Sequence, residues 1–549
     1  MAVSSVSLPK YDDPPPFLEG RREAQTAAVL TLVGLAVSIA FGLASSQGIY
    51  HFDDLTHYLY AKWAWLWPAY LLDDWGRPGF TTMYWLPAGL GWGACRVLSA
   101  ILTAASAWLA FRVARRIGVR NAWGVVPLAY AQPLFFQLSQ TTLTETPLAF
   151  YLILAVFLAQ RNRWSWSAAF ISLCAVTRHE AIIFAPLWLF FAWRRRVNLW
   201  RLWPIVIAPL IVNCLAVFAS TRPLVLRLLE PQPSAQYGHG SWLTFFARSM
   251  EAWGPGVTVL AVAGVCVLGR RRHGAIVAGC IVTYFAAQTI VRALGLFDSG
   301  GYARFLVPLS PLVAIAALIG WQRLWSSNPQ ERRTAVVVVA GAMLLLWLAM
   351  ERQLALHARG LDEAANLPQL HRAVAAVRAA AVLLCILAII IVSGGSTSER
   401  RPLRVAAVPA VVTLMILIAT VGLCHPLAPP SAAAIVDDLV QWMADHGLAD
   451  RQIITAHVWV DYAAGNELSP RRLSVRKRLE NAPPGALFIW DGQFAPSADH
   501  KLDLNALRSR PDFRLIHETR PVPGRSSPYL RVFEKLPRGR LTELGGASP

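Results

Sequence analysis

Charged side chains are scarce in this sequence. Asp, Glu, Lys and Arg together make up 15% of its 549 residues, whereas hydrophobic residues make up 55%. An ordinary soluble domain is about one quarter charged, and disordered chains are poor in apolar residues. The composition therefore excludes a soluble globular, a disordered or a fibrous protein. A hydrophobic excess spread over most of so long a chain predicts a membrane protein with many spans.

Acidic residues are the rarer charged type: 32 Asp and Glu stand against 51 Lys and Arg, for a net charge of +19. Residues 1–435 hold 35 basic and 18 acidic residues, whereas the rest of the chain holds 16 and 14. Basic residues that accompany apolar segments are typical of cytoplasmic loops. They do not form the basic stripe of a nucleic-acid-binding protein, so we expect no nucleic acid among the partners.

Several signatures of soluble enzymes and pumps are missing. The seven cysteines form no CxxC pair and have no metal-ligand spacing. No GxxxxGK[ST] loop is present, which disfavours an ATP-driven pump, and neither GxSxG nor HExxH occurs. The residues that could carry chemistry must therefore be sought beside the apolar segments.

Apolar segments of about spanning length recur along the chain and predict an all-α bundle of about 13 transmembrane helices. They lie near 25–44, 90–111, 121–138, 145–160, 164–177, 181–193, 202–220, 256–269, 274–294, 304–321, 334–350, 373–393 and 405–424. Every second loop is basic, which predicts a cytoplasmic N-terminus in a plasma (inner) membrane. Most acidic residues then fall on the outer side, where the sequence has two large loops, 45–89 and 221–255.

Residues 426–549 form a second predicted domain, small, α/β and extracytoplasmic, after a membrane domain at 1–425. Helical periodicity covers 432–446, and 502–508 is a second helix candidate. Short β-rich runs lie at 452–459, 486–491, 513–518 and 529–534. Interspersed helices and strands of this kind predict a compact α/β fold.

The first outer loop carries an acidic pair, Asp53 and Asp54, with His57 close by. Such a pair can take a proton from a hydroxyl group or hold a divalent cation, Mg²⁺ or Mn²⁺. It can equally serve only to keep a loop solvated. The segment from His57 to Tyr70 is rich in Trp and Tyr and predicts a helix that lies in the membrane interface.

Further charged residues fall at outer helix ends in this topology and can converge with the acidic pair at one membrane-level cavity. They are Arg77, Glu145, Arg178, Glu180 and Arg304. Guanidinium groups suit a phosphate because they donate two parallel hydrogen bonds. The alternatives are structural: an ion pair between Arg178 and Glu180, an interface anchor at Arg304, and helix capping by Glu145.

These residues lie in motifs that resemble those of the C-type fold of membrane glycosyltransferases. The acidic pair resembles the DD, DE or ED motif of the first outer loop in that family. Similar matches are Trp75–Thr81 to W-G-x-P-x-x-T, Thr144–Pro147 to a T-E element, Thr177–Glu180 to T-R-x-E, and Tyr302–Phe305 to an R-Y/F-x-x-P pattern. Ala181 stands where the family usually has Gly.

The resemblance implies transfer of a hexose or pentose from a polyprenyl-phosphate donor, with inversion, to a glycan, lipid or protein acceptor at the outer membrane face. It implies Asp53 as the base, with Asp54, Glu145 and Glu180 positioning the base or a metal. Arg178 and Arg304, with Arg77, would hold the phosphate. A transporter or lipid flippase is the alternative, but it predicts ionisable residues at the bilayer midplane and inverted repeats. A catalytically inactive envelope scaffold would share the layout.

Overall fold

The computed structural model is 73% helical and describes most of the chain. The described residues are 17–45, 47–218, 237–297, 299–359, 367–393, 401–423, 425–430, 432–469, 474–492, 494–496, 500–519 and 530–537. The chain divides into two compact units. The first comprises 1–44, 77–80 and 96–426, and the second comprises 45–76, 81–95 and 427–549.

Most described helices before residue 426 overlap a predicted apolar segment, whereas three lie in the two predicted outer loops. In chain order they are α1 (Phe17–Ala44), α2 (Phe52–Trp63), α3 (Pro78–Gly89), α4 (Trp92–Ile117), α5 (Val125–Tyr130), α6 (Pro133–Leu138), α7 (Glu145–Gln160), α8 (Trp164–Thr177), α9 (Phe184–Arg194), α10 (Ile207–Phe218), α11 (Thr244–Trp253), α12 (Pro255–Arg270), α13 (Ala275–Ala293), α14 (Ser310–Leu324), α15 (Pro329–Ala358), α16 (Leu367–Ser393) and α17 (Arg401–Leu423). Short 3-10 segments lie at Pro68–Leu72, Ala122–Gly124, His179–Ile183, Leu199–Val206 and Ala303–Leu309.

Seven helical segments of the described chain are long and apolar enough to cross a membrane. They are Gly20–Ala44, Trp92–Ile117, Leu199–Phe218, Ala275–Ala293, Ala303–Leu324, Pro329–Ala358 and Leu367–Ser393. α11 and α12 pass the same test only as a pair, and α7, α8 and Ala406–Gly422 are apolar but shorter. The multi-pass helical class is as predicted, whereas the count of thirteen spans stays a prediction.

A sharp bend precedes one predicted segment, and another predicted segment is interrupted. α11 and α12 meet at an angle of 114°, because Gly254 adopts a positive φ of 78° and Pro255 starts the next helix. The apolar run 121–138 is not one helix but contains α5 and α6, and Pro133 is at the first position of α6. Of the predicted outer loop 221–255, residues 221–236 lie outside the described residues, and α11 occupies most of the remainder.

Close helix packing in the first unit depends on two glycines. A Cβ on Gly264 of α12 would lie 1.9 Å from the carbonyl oxygen of Ala316 in α14. A Cβ on Gly320 of α14 would lie 2.0 Å from the carbonyl oxygen of Leu260. The two backbones therefore touch directly, as small residues allow between membrane helices.

The second unit contains a four-stranded mixed sheet. Its strands are β1 (Ile453–Thr455), β2 (Leu487–Asp491), β3 (Phe513–Glu518) and β4 (Leu530–Lys535), in the order β1-β2-β4-β3. β1 and β2 are parallel, and β4 is antiparallel to both β2 and β3. Its helices are α18 (Ala433–Asp445), α19 (Val458–Ala463), α20 (Val475–Asn481) and α21 (Leu504–Arg508).

The predicted mixture of helices and strands after residue 426 is present, with two local differences. The run 452–459 is strand only in β1, and its end belongs to α19, because Val458 and Trp459 pack as the first turn of a buried helix. The helix α20 was not predicted, since its sequence VRKRLEN is mostly polar. It is capped by Ser474, whose side chain accepts from the Lys477 N–H.

Residues of the first predicted outer loop are part of this second unit. The Trp63 indole N–H donates to the carbonyl oxygen of Asn466 at 3.0 Å, and the Tyr70 hydroxyl donates to the carbonyl oxygen of Leu468. The Trp92 ring meets the Trp459 ring edge to face, with centroids 6.1 Å apart. The acidic pair and the sheet thus belong to one packed body.

Candidate active site

Four pieces of the first unit bring charged side chains together in one cluster. Glu145 is the first residue of α7, Arg178 follows α8, Glu180 lies in the next 3-10 segment, and Arg304 lies in the 3-10 segment before α14. The Glu145 side chain is fully buried, and Arg304 is 5% exposed. The structure therefore brings these four predicted residues together, and we call them the ion cluster.

Arg178 bridges the two carboxylates of the ion cluster. Its Nη1 lies 2.6 Å from Oε1 of Glu145, and its Nη2 and Nε lie 2.6 Å and 2.7 Å from Oε1 of Glu180. The Thr144 hydroxyl accepts a further bond from Nη1 at 3.3 Å. All three guanidinium nitrogens thus donate to fixed oxygens, so the orientation of the guanidinium plane is determined.

The carboxylate of Glu145 is shared by a second guanidinium group, since the Nε of Arg304 lies 3.6 Å from its Oε1. The Phe305 ring contacts both cations: its centroid is 4.5 Å from Cζ of Arg178 and 5.7 Å from Cζ of Arg304. These distances lie within the range of cation–π attraction. One carboxylate and one ring therefore hold two arginines side by side.

The charge state of the cluster follows from this pairing. Burial raises the pKa of Glu180, but the Arg178 guanidinium, a backbone hydrogen bond and the charge of Arg77 together outweigh burial and lower that pKa to about 2. Burial would likewise lower the pKa of Arg178, but the attraction of the two carboxylates outweighs burial and raises that pKa. Gln288 also donates to Oε1 of Glu180 at 3.4 Å. The Arg178–Glu180 pair is therefore ionised over the physiological pH range.

Arg77 lies in the same unit, where its backbone is strained and its side chain contacts a histidine. Its φ is +63°, unusual for a residue with a Cβ, and its Nη1 lies 2.7 Å from Nδ1 of His179. Gly79 then packs against the end of α8, where a Cβ would lie 2.2 Å from Oγ1 of Thr177. The predicted motifs around Arg77 and Arg178 therefore meet, and Gly79 is required for that approach.

The acidic pair opens helix α2 in the second unit. His51 caps this helix, because its Nδ1 accepts from the Asp53 N–H at 3.2 Å. The same Nδ1 lies 3.3 Å from Oδ2 of Asp53, whose side chain is 23% exposed. Asp54 is fully buried, and His57 is buried one turn further along. Of the pair, Asp53 is the carboxylate that solvent reaches.

Comparison with solved structures identifies the architecture. ArnT from Cupriavidus metallidurans, bound to undecaprenyl phosphate, matches 92% of this chain and 97% of its own, with a TM-score of 0.58 and 14% identity. The apo state of the same protein gives a TM-score of 0.56 and 13% identity over the same shares. The oligosaccharyltransferase AglB from Archaeoglobus fulgidus matches 86% of this chain and 70% of its own, with a TM-score of 0.48 and 12% identity.

The chain has the C-type fold. ArnT is a glycosyltransferase of that fold, so the predicted resemblance is confirmed at the level of the fold. No protein-family profile matches the sequence, and no curated protein sequence matches it. What the chain does with this fold must therefore be argued from its own residues.

Asp53 and Asp54 are the residues predicted to hold a divalent cation if the chain uses one. A divalent cation prefers several oxygen ligands. Among the described residues, no group of three or more His, Cys, Asp or Glu side chains could hold a metal ion. The acidic pair alone would supply two carboxylates, of which that of Asp54 is buried.

Sequence reasoning missed the residues that support the ion cluster. Phe305 was noted only as part of a motif, although its ring contacts both arginines. Thr144 and Gln288, which bond Arg178 and Glu180, gave no separate signal. Polar residues in an apolar run, such as Gln288 in α13, are the signal that could have found them, since burial of an amide requires a partner.

Proposed function

We propose that the chain is a membrane glycosyltransferase that transfers a monosaccharide from a polyprenyl-phosphate donor to an acceptor at the outer membrane face. The observation that carries the proposal is the ion cluster on a C-type fold: two buried guanidinium groups held together by Glu145 and Phe305. A buried cation pair of this kind is suited to a phosphate group.

The reaction needs those cations because charge develops on the leaving group. In the donor the phosphate is a diester with one negative charge. When the acceptor oxygen bonds to the anomeric carbon, the bond from that carbon to the phosphate oxygen breaks, and polyprenyl phosphate leaves with two negative charges. Preorganised donors that meet this developing charge stabilise the transition state. In this proposal Arg178 and Arg304 do so, with Arg77 as a third cation.

The acceptor hydroxyl must lose a proton as it attacks, and Asp53 is the proposed base. It is the accessible member of the pair, and the amino end of α2 stabilises its ionised form. Asp54 and His57, both buried beside it, are proposed to keep the first turn of α2 in place. A single displacement of this kind inverts the anomeric centre, which agrees with the resemblance.

Turnover by purified protein tests the proposal. The full chain is reconstituted in nanodiscs with a panel of radiolabelled polyprenyl-phosphate sugars and membrane-derived acceptors. Asp53→Asn should lower turnover about 10²–10⁴-fold, the usual contribution of a general base. Arg178→Lys should lower it about 10²-fold, as expected when a preorganised donor to developing charge is lost.

The control is Glu351→Gln, an exchange in an exposed ion pair with Arg378, which should leave turnover unchanged. Equal turnover of the wild type and Asp53→Asn would reject the base assignment. Absence of transfer from every donor by a folded wild type would reject the reaction itself.

A further inference from the structure

A pocket of about 700 Å³ lies within the second unit, apart from the residues assigned above. One wall is the carboxyl end of α2 with Lys62 and Trp63, and another is the carboxyl end of α3 up to Gly89. The third wall is formed by Asp461 in α19 and by residues 465–467 in the turn after that helix. A pocket of this volume is in the usual range for a small organic ligand.

The first feature of the pocket is a fixed, half-exposed indole. Trp65 is 49% exposed, yet its ring stacks on Trp85 with centroids 4.9 Å apart, and its N–H donates to the carbonyl oxygen of Trp85 at 2.7 Å. Gly89 makes room for it, because a Cβ there would lie 2.7 Å from the ring. An exposed aromatic ring that is already ordered loses little entropy when a ligand stacks on it.

The second feature is an ordered polar wall. The side-chain amide of Asn466 donates to Oδ1 of Asp461 at 2.8 Å, and the Asn466 carbonyl oxygen accepts from the Trp63 indole at 3.0 Å. Glu467 follows on the exposed side of the same turn. The pocket thus offers two carboxylates, an amide and one ammonium group, Lys62, around an apolar floor.

The balance of charge decides which ligand class fits. Two carboxylates face one ammonium group, and the carboxyl ends of α2 and α3, which carry partial negative charge, both reach the pocket. An anionic phospholipid headgroup is therefore disfavoured. A neutral, hydroxyl-rich ligand is favoured, because its hydroxyls donate to carboxylates while its apolar faces stack on the indole.

The distance from the pocket to the proposed base sets the length that such a ligand must have. Asp53 and Lys62 lie on the same helix, nine residues apart, which corresponds to about 14 Å along the axis. This exceeds the length of one sugar ring. A single acceptor molecule that reaches both ends of α2 must therefore contain several sugar units.

We propose that this pocket binds a glycan and is the distal subsite for an oligosaccharide acceptor. That the bound glycan is an acceptor rests on the proposed function. That the pocket binds a glycan rests on the pocket alone. It also assigns a task to the packing of the first loop on the segment 461–467: together they form the walls of one binding site.

Glycan binding by the full chain tests this inference. Fluorescently labelled protein in nanodiscs is applied to a printed array of neutral oligosaccharides that runs from monosaccharides to longer chains. Wild type should bind a subset of the longer glycans. Trp65→Ala and Glu467→Gln should each weaken that binding about tenfold, the effect of one lost stacking or hydrogen-bonding contact.

One variant serves as the control. Trp67→Ala removes an indole of similar exposure, 41%, that does not line the pocket. It should bind the same glycans as the wild type. The inference is overturned if no glycan binds, or if Trp65→Ala and Glu467→Gln bind as wild type does. Labelling of Leu66 by a photoreactive phosphatidylglycerol, without glycan binding, would assign the pocket to a phospholipid and also overturn it.

The two proposals can fail separately. If Asp53→Asn keeps full turnover while the pocket variants lose glycan binding, the base assignment fails and the pocket stands. If Asp53→Asn is inactive while the pocket variants bind glycans normally, the pocket assignment fails and the proposed function stands.

Discussion

The ion cluster and the acidic pair both hold carboxylates in a hydrophobic chain, but they hold them in opposite ways. Glu145 is fully buried and touches two guanidinium groups, whereas the Asp53 side chain is partly exposed beside a capping histidine. A buried carboxylate that is paired with two cations is held in one position. A partly solvated carboxylate at a helix start can meet an incoming hydroxyl group.

The ion cluster and the acidic pair are therefore suited to different tasks. The ion cluster is suited to hold charge in a fixed place, as a leaving phosphate requires. The acidic pair is suited to exchange a proton, as an attacking hydroxyl requires. Separate measurements of stability and of turnover on the same variants test this difference.

The largest expected effect is on stability, from Glu145→Gln. This exchange leaves Arg178 and Arg304 buried without the carboxylate they share, and loss of one member of a buried ion pair costs about 3–5 kcal/mol. The midpoint of denaturant unfolding in detergent micelles measures it. Glu351→Gln, in a pair whose side chains are 34% and 53% exposed, should cost less than about 1 kcal/mol. Equal losses would remove the distinction between the buried cluster and an ordinary surface pair.

The second expected effect is a difference between the two units in how their stability depends on pH. Burial lowers the pKa of His457 from 6.5 to about 4, so in mild acid the unfolded state binds a proton that the folded state does not. Stability of the second unit should therefore fall as pH drops below about 6.5, by about 2 kcal/mol at pH 5. The pKa of Glu180 is lowered instead, so its contribution is present above pH 4.5 and is lost only as pH falls towards 2.

Hydrogen exchange at pH 7 and pH 5, corrected for intrinsic rates, measures this contrast. Peptides that contain β2 should lose protection at pH 5, and peptides that contain α7 should not. His457→Gln should reduce the change in β2 to the part that His517 of β3 contributes, because burial lowers the pKa of His517 as well. Loss of protection in both sets, or in neither, contradicts the prediction.

The smallest expected effect is on stability, from Asp53→Asn. A partly exposed carboxylate in the first turn of a helix contributes about 0.3–1 kcal/mol through the helix dipole, so unfolding should shift little. The same exchange is expected to have the large effect on turnover given above. A stability loss as large as that of Glu145→Gln would mean that Asp53 is structural.

The sequence was most informative where apolar length and short motifs coincide. α7 and α8 begin and end where the apolar runs predicted, and the residues at their ends, Glu145 and Arg178, were predicted to converge. Contacts formed by ring and amide side chains, such as Phe305 beneath two arginines, were not predicted. Such contacts depend on helix rotation, which periodicity does not determine when a helix is apolar on every side.

The second unit shows the other limit of sequence reasoning. Its strands were found, because β-branched and aromatic runs bounded by turns are a local signal. Its partner segments, residues 45–76 and 81–95, were assigned to the loop 45–89 and to the start of the apolar segment 90–111 of the membrane domain, because pairing between segments far apart in sequence leaves no local trace. The pocket between α2, α3 and the segment 461–467 could not have been predicted for the same reason.

Because the second unit is built from segments far apart in sequence, its parts are synthesised at different times. Residue 427 is made 332 residues after residue 95, a wait of roughly 15–70 s at ~5–20 residues per second. During that interval the rings of Tyr58, Trp63 and Trp92 lack the surfaces they later pack against. A chain that ends at Pro426 should thus be cut by protease within 45–95, whereas the full chain resists. The segment that completes the second unit is therefore synthesised after the helices of the first unit.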